Sequence, residues 1–221
     1  MKKNILWVLF VAASAAVATA AEDRVFALAP AGAVTAEEAE RIRGRLEEVS
    51  GAVIRLAEAV PVEEGQTLEA IGRAAADRLA PTDHSVVVLA RLGTGQPQGV
   101  CLPHVRFAAL NLSWLEAGLE NDPAKLDRRA SQEGLRVLAM LLGMSSCPFP
   151  LCVLVGYEKT EDLDRLSGSY CPPCQDRFAR MARDAGLRLV AKPDAAEAEA
   201  PAPAPAAEEA PAAAAAPAAA E

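Results

Sequence analysis

Beyond residue 20 the apolar positions fall into two alternating rhythms, short continuous runs and three-to-four-residue repeats. Arg24 to Leu28 is a short apolar run closed by Pro30 and predicts a strand. Thr35 then offers an N-cap with Glu38 three residues on, the spacing of a capping box, and Ile42, Leu46 and Val49 recur at helical spacing. A helix is predicted from Ala36 to Val49, ended by Gly51, with a strand over Ala52 to Leu56 after it. Thr67 to Leu79 reads as a second amphipathic helix, with Leu68, Ile71, Ala75 and Leu79 on one face and Pro81 as its stop. Ser85 to Leu92 carries Val86, Val87, Val88 and Leu89, a β-branched density that suits a buried central strand. Extended segments are expected over Val100 to Phe107 and Ala108 to Leu112.

Pro123 suits the first turn of a further helix, and Leu135, Leu138, Ala139 and Leu142 form its apolar stripe from Leu126 through Leu142, with Gly143 as the stop. A last helix from Gln175 to Ala185 and a short strand from Leu187 to Val190 complete the pattern. The β-α-β-α-β order indicates an α/β layer fold with right-handed crossovers wherever neighbouring strands are parallel.

The two ends differ from this middle. Lys2 and Lys3, the apolar run from Ile5 to Val17 and the small residues Ala18, Thr19 and Ala20 have the layout of a secretory signal peptide over residues 1–20. The run is short for a membrane span, so cleavage after Ala20 and a secreted or periplasmic product without a stable span are expected. Residues 192–221 are almost entirely Ala, Pro and Glu, with nothing to bury, and are expected to stay disordered. Residues 21–191 make one domain. The formal charge of -8 and the lack of a basic stripe interleaved with aromatics exclude nucleic acid as a partner.

Candidate chemistry lies in the C-terminal third. Cys147 and Cys152 form a C-x4-C pair, and Cys171, Pro172, Pro173 and Cys174 a C-P-P-C pair. Two such knuckles suit one structural zinc ion, bound tetrahedrally by four thiolates. Export also permits disulfides within each pair. The C-P-P-C sequence resembles the active site of exported thioredoxin-like reductants, which makes a thiol-disulfide oxidoreductase using Cys171 and Cys174 an alternative, although too few elements follow it for that fold. Cys101 reads as a small buried apolar residue. His84 and His104, the only histidines, lack ligand spacing and read as ordinary structural residues.

The run Gly143, Met144, Ser145, Ser146, Cys147, then Cys152, Val153, Leu154, then Cys171 and Cys174, resembles the C-terminal half of the archaemetzincins. Their pattern is H-E-x-x-H-x-x-G-x-x-H-C-x4-C-x-M-x17-C-x-x-C, an extension of the metzincin zinc motif and its Met-turn. The resemblance covers Leu135 to Phe178 and implies a metzincin-like α/β (α+β) domain with a mixed sheet and a Cys-rich C-terminal region. In that family three His hold a catalytic zinc, the Glu is the base, and the four Cys hold a structural zinc. Aligned on Cys147, the three His positions carry Arg136, Met140 and Ser146, the Glu position Val137 and the Met-turn position Leu154; only Gly143 remains from the catalytic motif. The spacing from Leu154 to Cys171 is one residue short of the family pattern. Arg136 is a permanent cation and Met140 a weak ligand, so no zinc-bound hydroxide is expected there. The resemblance thus implies a catalytically inactive, pseudopeptidase-type protein with a peptide or protein as ligand, and a divergent zinc metallopeptidase only if ligands come from elsewhere.

Overall fold

The computed structural model describes residues 24–120 and 122–190. The expected signal peptide and Ala/Pro tail lie outside the described residues. Strands β1 (Val25–Pro30), β2 (Ile54–Leu56), β3 (Asp83–Ala90), β4 (Gly99–Leu102) and β5 (Phe107–Asn111) form one sheet in the order β2-β1-β3-β5-β4. All neighbours are parallel except β4, which runs antiparallel to β5 at the edge. Helices α1 (Ala36–Ser50) and α2 (Leu68–Ala76) connect the first three strands. The path steps outward from β1 to β2, then back across β1 to β3, so crossovers of a single hand put α1 and α2 on opposite faces of the sheet.

The division of the core follows. Phe26, Leu28, Val87, Leu89, Ala108 and Leu110 face α1 and the later helices α4 (Pro123–Leu141) and α5 (Pro172–Asp184), while Ala27, Ala29, Val86, Val88 and Ala109 face α2. Side chains alternate along each strand, so a strand covered on both faces must be apolar throughout, as the valine run of β3 is. Small residues set the helix distances. A Cβ on Gly134 of α4 would stand 2.7 Å from Leu46 Cδ2 of α1, and one on Gly72 of α2 would stand 2.2 Å from the Phe107 ring.

Most expected elements are present with shifted ends. Thr35 caps α1 by accepting from the Glu38 amide at 3.2 Å, but the box is only half made. The Glu38 carboxylate turns instead to Arg91, at 2.6 and 2.8 Å, because a buried acid gains more from a bidentate cation than from one exposed amide. The second helix stops at Ala76, short of Leu79, since Asp77 already takes the C-cap position. Val100 to Phe107 is not one strand: Pro103 starts a 3-10 turn over Pro103–Val105, and Arg106 turns left-handed at φ 67° before β5. Leu187 to Val190 is not a strand either; only Leu187 and Leu189 pair, as isolated bridges to Arg24 and Ala52. The short helix α3 (Leu112–Leu115) and the 3-10 turn Thr160–Arg165 carry no clear sequence signal.

Helix α4 is the longest and does more than fill the core. Asp122 caps it, accepting from Lys125 N at 3.0 Å, and Gly143 ends it at φ 80°. Between α4 and α5 the chain makes only turns and one 3-10 segment, so its carbonyls need partners from outside. Successive polar positions of α4 supply them. The Arg129 guanidinium, 1% exposed, forks onto Asp164 at 2.9 and 2.8 Å and donates to the Leu115 and Ala117 carbonyls at 3.0 and 3.1 Å. Gln132 Nε2 donates to the carbonyls of Leu163 and Leu166 at 3.0 and 3.2 Å. Arg136 donates to the Val153 carbonyl at 2.9 Å and to that of Val155. Tyr170 returns the contact, its hydroxyl donating to the Leu135 carbonyl at 2.7 Å while its ring stacks on Phe178 of α5 at 5.2 Å.

Candidate metal centre

These tethers bring the two cysteine pairs together. The turn after α4 presents Cys147 and Cys152; Cys171 is the N-cap residue of α5, and Cys174 lies in its first turn. All four sulfurs lie within 4.8 Å of one another, with Cys147 and Cys171 3.8 Å apart. A tetrahedral ion with 2.3 Å bonds to sulfur requires separations of about 3.8 Å. None of the four is joined as a disulfide. Two backbone amides point at sulfur, Phe149 N at 3.4 Å from Cys147 Sγ and Cys171 N at 3.5 Å from Cys152 Sγ. Such donors stabilise thiolate charge and orient the ligands. The donor set and the spacing therefore fit a thiophilic tetrahedral ion, and the fold brings together the four cysteines singled out from the sequence.

The thiols respond to this crowding. Burial pushes Cys152 and Cys174 up. It acts in the same sense at Cys171, but the Cys174 amide and the three neighbouring thiols outweigh it and hold Cys171 below an ordinary thiol. Cys101, on β4, stands apart and only half-buried; burial raises it to about 11, as suits an inert thiol. His84 lies edge-on to Phe26 with ring centroids 5.5 Å apart, and burial lowers its basicity. His104 is exposed on the 3-10 turn.

The positions aligned with the metzincin motif show no ligand cluster among the described residues. Val137 is buried in the core, whereas Met140 and Ser146 are exposed. Leu154 is buried, 4% exposed, and its carbonyl accepts from Cys147 N at 3.1 Å, so it packs beneath the cysteine turn. Arg136 is bound to the carbonyls on both sides of Leu154. Its Nε stands 3.0 Å from Glu133 Oε1, off the N–H axis, so that oxygen has the ion pair but no aligned hydrogen bond. The guanidinium also lies over the Tyr157 ring, 4.9 Å from its centroid, and the Tyr157 hydroxyl accepts from Gln98 Nε2. Burial pushes the Glu133 carboxyl up against the lowering by Arg136, and burial with the Glu133 charge raises Tyr157. Glu133, Tyr157 and Gln98 were not foreseeable as a group; the one signal was an acid three residues before Arg136 on the same helix.

A five-stranded mixed sheet with one antiparallel edge strand, a long helix behind it and a cysteine-rich segment following is the architecture of archaemetzincin-type zinc peptidases, and the chain has that fold. It is similar to a zinc-dependent peptidase from Methanocorpusculum labreanum (TM-score 0.59, 15% identity, 69% of this chain and 99% of that one). It is similar too to archaemetzincin from Methanopyrus kandleri (TM-score 0.59, 19% identity, 73% and 97%) and to that from Archaeoglobus fulgidus, solved with malonate (TM-score 0.55, 17% identity, 69% and 99%). No family model and no curated protein matches the sequence.

Proposed function

We propose that this chain is an exported, noncatalytic member of the archaemetzincin lineage, stabilised by one structural zinc ion on Cys147, Cys152, Cys171 and Cys174. The fold and the four converging sulfurs support the lineage and the ion. The single observation that carries the loss of catalysis is the state of Arg136. At the position of the first zinc-binding His stands a fixed cation, committed to two carbonyls, a carboxylate and a tyrosine ring. A second cation at that point would meet repulsion and no lone pair. The absence of a carboxylate at Val137 also removes the base a peptidase needs. Export rests on residues 1–20, and no helix among the described residues is long and apolar enough to cross a membrane. A peptide or protein held in the former cleft remains the proposed ligand.

Metal analysis with thiol titration on protein purified from the exported fraction tests the reading. One zinc per chain, four thiols protected until the metal is chelated, and no cleavage of a denatured protein substrate are the expected results. Peptide cleavage that is lost with the metal overturns the noncatalytic assignment. Metal-free protein that reduces a disulfide substrate, and loses this activity in Cys171→Ser, replaces it with the oxidoreductase.

A further inference from the structure

Tyr157 joins two parts of the molecule that are otherwise separate at this point. Its hydroxyl accepts from Gln98 Nε2, and its ring lies under the Arg136 guanidinium, with Cζ 4.9 Å from the ring centroid. Gln98 leads into β4, the antiparallel edge strand, and is fixed there because its carbonyl accepts from Asn111 N at 2.8 Å. Arg136 belongs to α4, and its guanidinium is held by the Val153 carbonyl at 2.9 Å, by that of Val155 and by the Glu133 carboxylate at 3.0 Å. The phenol thus bridges the edge of the sheet and the helix that carries the motif-aligned positions. Met140, one turn beyond Arg136 on the same face of α4 and 43% exposed, adds an apolar lip.

The backbone under Tyr157 is held on either side but not at the residue itself. Val155 N donates to the Cys152 carbonyl at 3.0 Å, and the amides of Glu158 and Lys159 donate to Asp162 Oδ2 at 3.3 and 3.0 Å. Gly156 and Tyr157, between these anchors, make no backbone hydrogen bond among the described residues. Gly156 is exposed, with nothing within 4 Å of a Cβ placed on it, and glycine has the widest choice of backbone angles. The closed position therefore rests on the Tyr157 side chain. Its cation–π contact and its hydrogen bond alone favour that position by roughly 5- to 70-fold.

We propose that Tyr157 is a built-in plug: its phenol occupies a recognition site for a tyrosine side chain of a partner peptide, and that peptide enters by displacing it. The site already fits such a group, since the guanidinium face takes the ring and the Gln98 amide takes the hydroxyl. The plug deepens the reading of the former cleft as a peptide site and rests on it. A ligand that needs the open state binds more weakly than its intrinsic affinity, in proportion to the fraction of molecules that are open.

Titration calorimetry on the full chain with its metal tests this with N-acetyltyrosinamide, N-acetylleucinamide and p-cresol. Tyr157→Gly is expected to bind N-acetyltyrosinamide saturably and at least about fivefold more tightly than wild type, because the plug is gone. The same variant should bind N-acetylleucinamide about tenfold more weakly, for want of the ring and the hydroxyl. Tyr157→Phe keeps the ring and loses only the hydrogen bond, so its affinity for N-acetyltyrosinamide should exceed that of wild type by about 2- to 10-fold; it carries the test if the glycine variant does not melt cooperatively. Tighter binding of N-acetyltyrosinamide than of p-cresol supports a peptide, and equal affinity overturns the peptide partner in favour of a free phenol. Equal affinities of wild type and both variants for N-acetyltyrosinamide overturn the plug while leaving the peptide site in place, and an equally bound leucine probe or the absence of saturable binding overturns the whole proposal. Cleavage of acetyl-Ala-Tyr-Ala-amide, followed in parallel, would overturn the noncatalytic reading and not the plug.

Discussion

Replacing Asp164 with alanine should destabilise the protein by about 2–3 kcal/mol near neutral pH. Asp164 lies on the 3-10 turn that leads to the second cysteine pair, and its carboxylate takes both arms of Arg129 as well as Lys125 at 2.8 Å. Breaking a buried pair by removing one partner typically costs about 3–5 kcal/mol. Two features here reduce that figure. Asp164 is a quarter exposed, and Arg129 keeps the Leu115 and Ala117 carbonyls. The depressed pKa of the Asp164 carboxyl leads to a similar figure. Arg129 and Lys125 hold the Asp164 carboxyl at about 2, against an ordinary 3.8. That difference corresponds to roughly 2 kcal/mol before allowance for solvent screening, which lowers it. Because the folded value is depressed, the contribution is complete above the ordinary carboxyl range and is lost as pH falls from about 4 through 2. Urea unfolding of wild type and Asp164→Ala, followed by tryptophan fluorescence at pH 7, 5, 3 and 2, checks both estimates. Loss of zinc thiolates in acid affects the two proteins alike, so the gap between them isolates Asp164. It should be constant from pH 7 to 5 and close towards pH 2. Equal midpoints at pH 7, or a gap unchanged at pH 2, would refute the assignment of this pair as the anchor of the turn.

Other consequences can be measured in the same way. Serine at any one of Cys147, Cys152, Cys171 or Cys174 should abolish stoichiometric zinc by metal analysis and lower the melting temperature, whereas Cys101→Ser should leave the zinc in place. Gly134→Ala should lower the urea midpoint despite alanine's better helix propensity, because the new methyl meets Leu46 at 2.7 Å in a closed contact and overpacking costs about 1–3 kcal/mol; a stabilised variant would show that α1 and α4 can separate. Arg136→Met should destabilise by about 2–3 kcal/mol by leaving the Glu133 carboxylate buried without its cation, and adding Glu133→Leu should restore most of that loss in chemical denaturation.

The layered α/β architecture was legible because its signals are local. The valine run of β3, the Thr35 cap and the glycine ending α4 each act within a few residues, and each element forms where its pattern lies. The cysteine cluster was legible for a different reason: four thiols in two pairs have few alternatives once they share a domain. What could not be read is whatever depends on partners far along the chain. Glu38 satisfies the spacing rule for a capping box, yet Arg91, far along the sequence, takes its carboxylate. Leu187 and Leu189 have strand-like character, but they face only single residues of β1's lead-in and the α1–β2 turn, so no ladder forms. The Gln132 and Arg129 tethers were hidden as well, since polar residues on a helix usually face solvent and these two are buried.

On the proposed reading, the same stripe of α4 lets the fold persist without a catalytic ion. A metal bound by a helix and the segment after it is also a cross-link, and removing it frees that segment unless other bonds replace it. Here Arg129, Gln132, the Leu135 carbonyl and Arg136 each hold a different stretch of the chain between residues 153 and 170. Arg136 is the telling member, because it brings a positive charge to the carbonyls flanking Leu154, the electrostatic service that a cation would otherwise provide. A guanidinium is fixed to the chain and needs no supply or retention, but it has no open coordination position and cannot acidify a water. On the proposed lineage, the substitution that ends hydrolysis therefore also supports the turn beneath the cysteines.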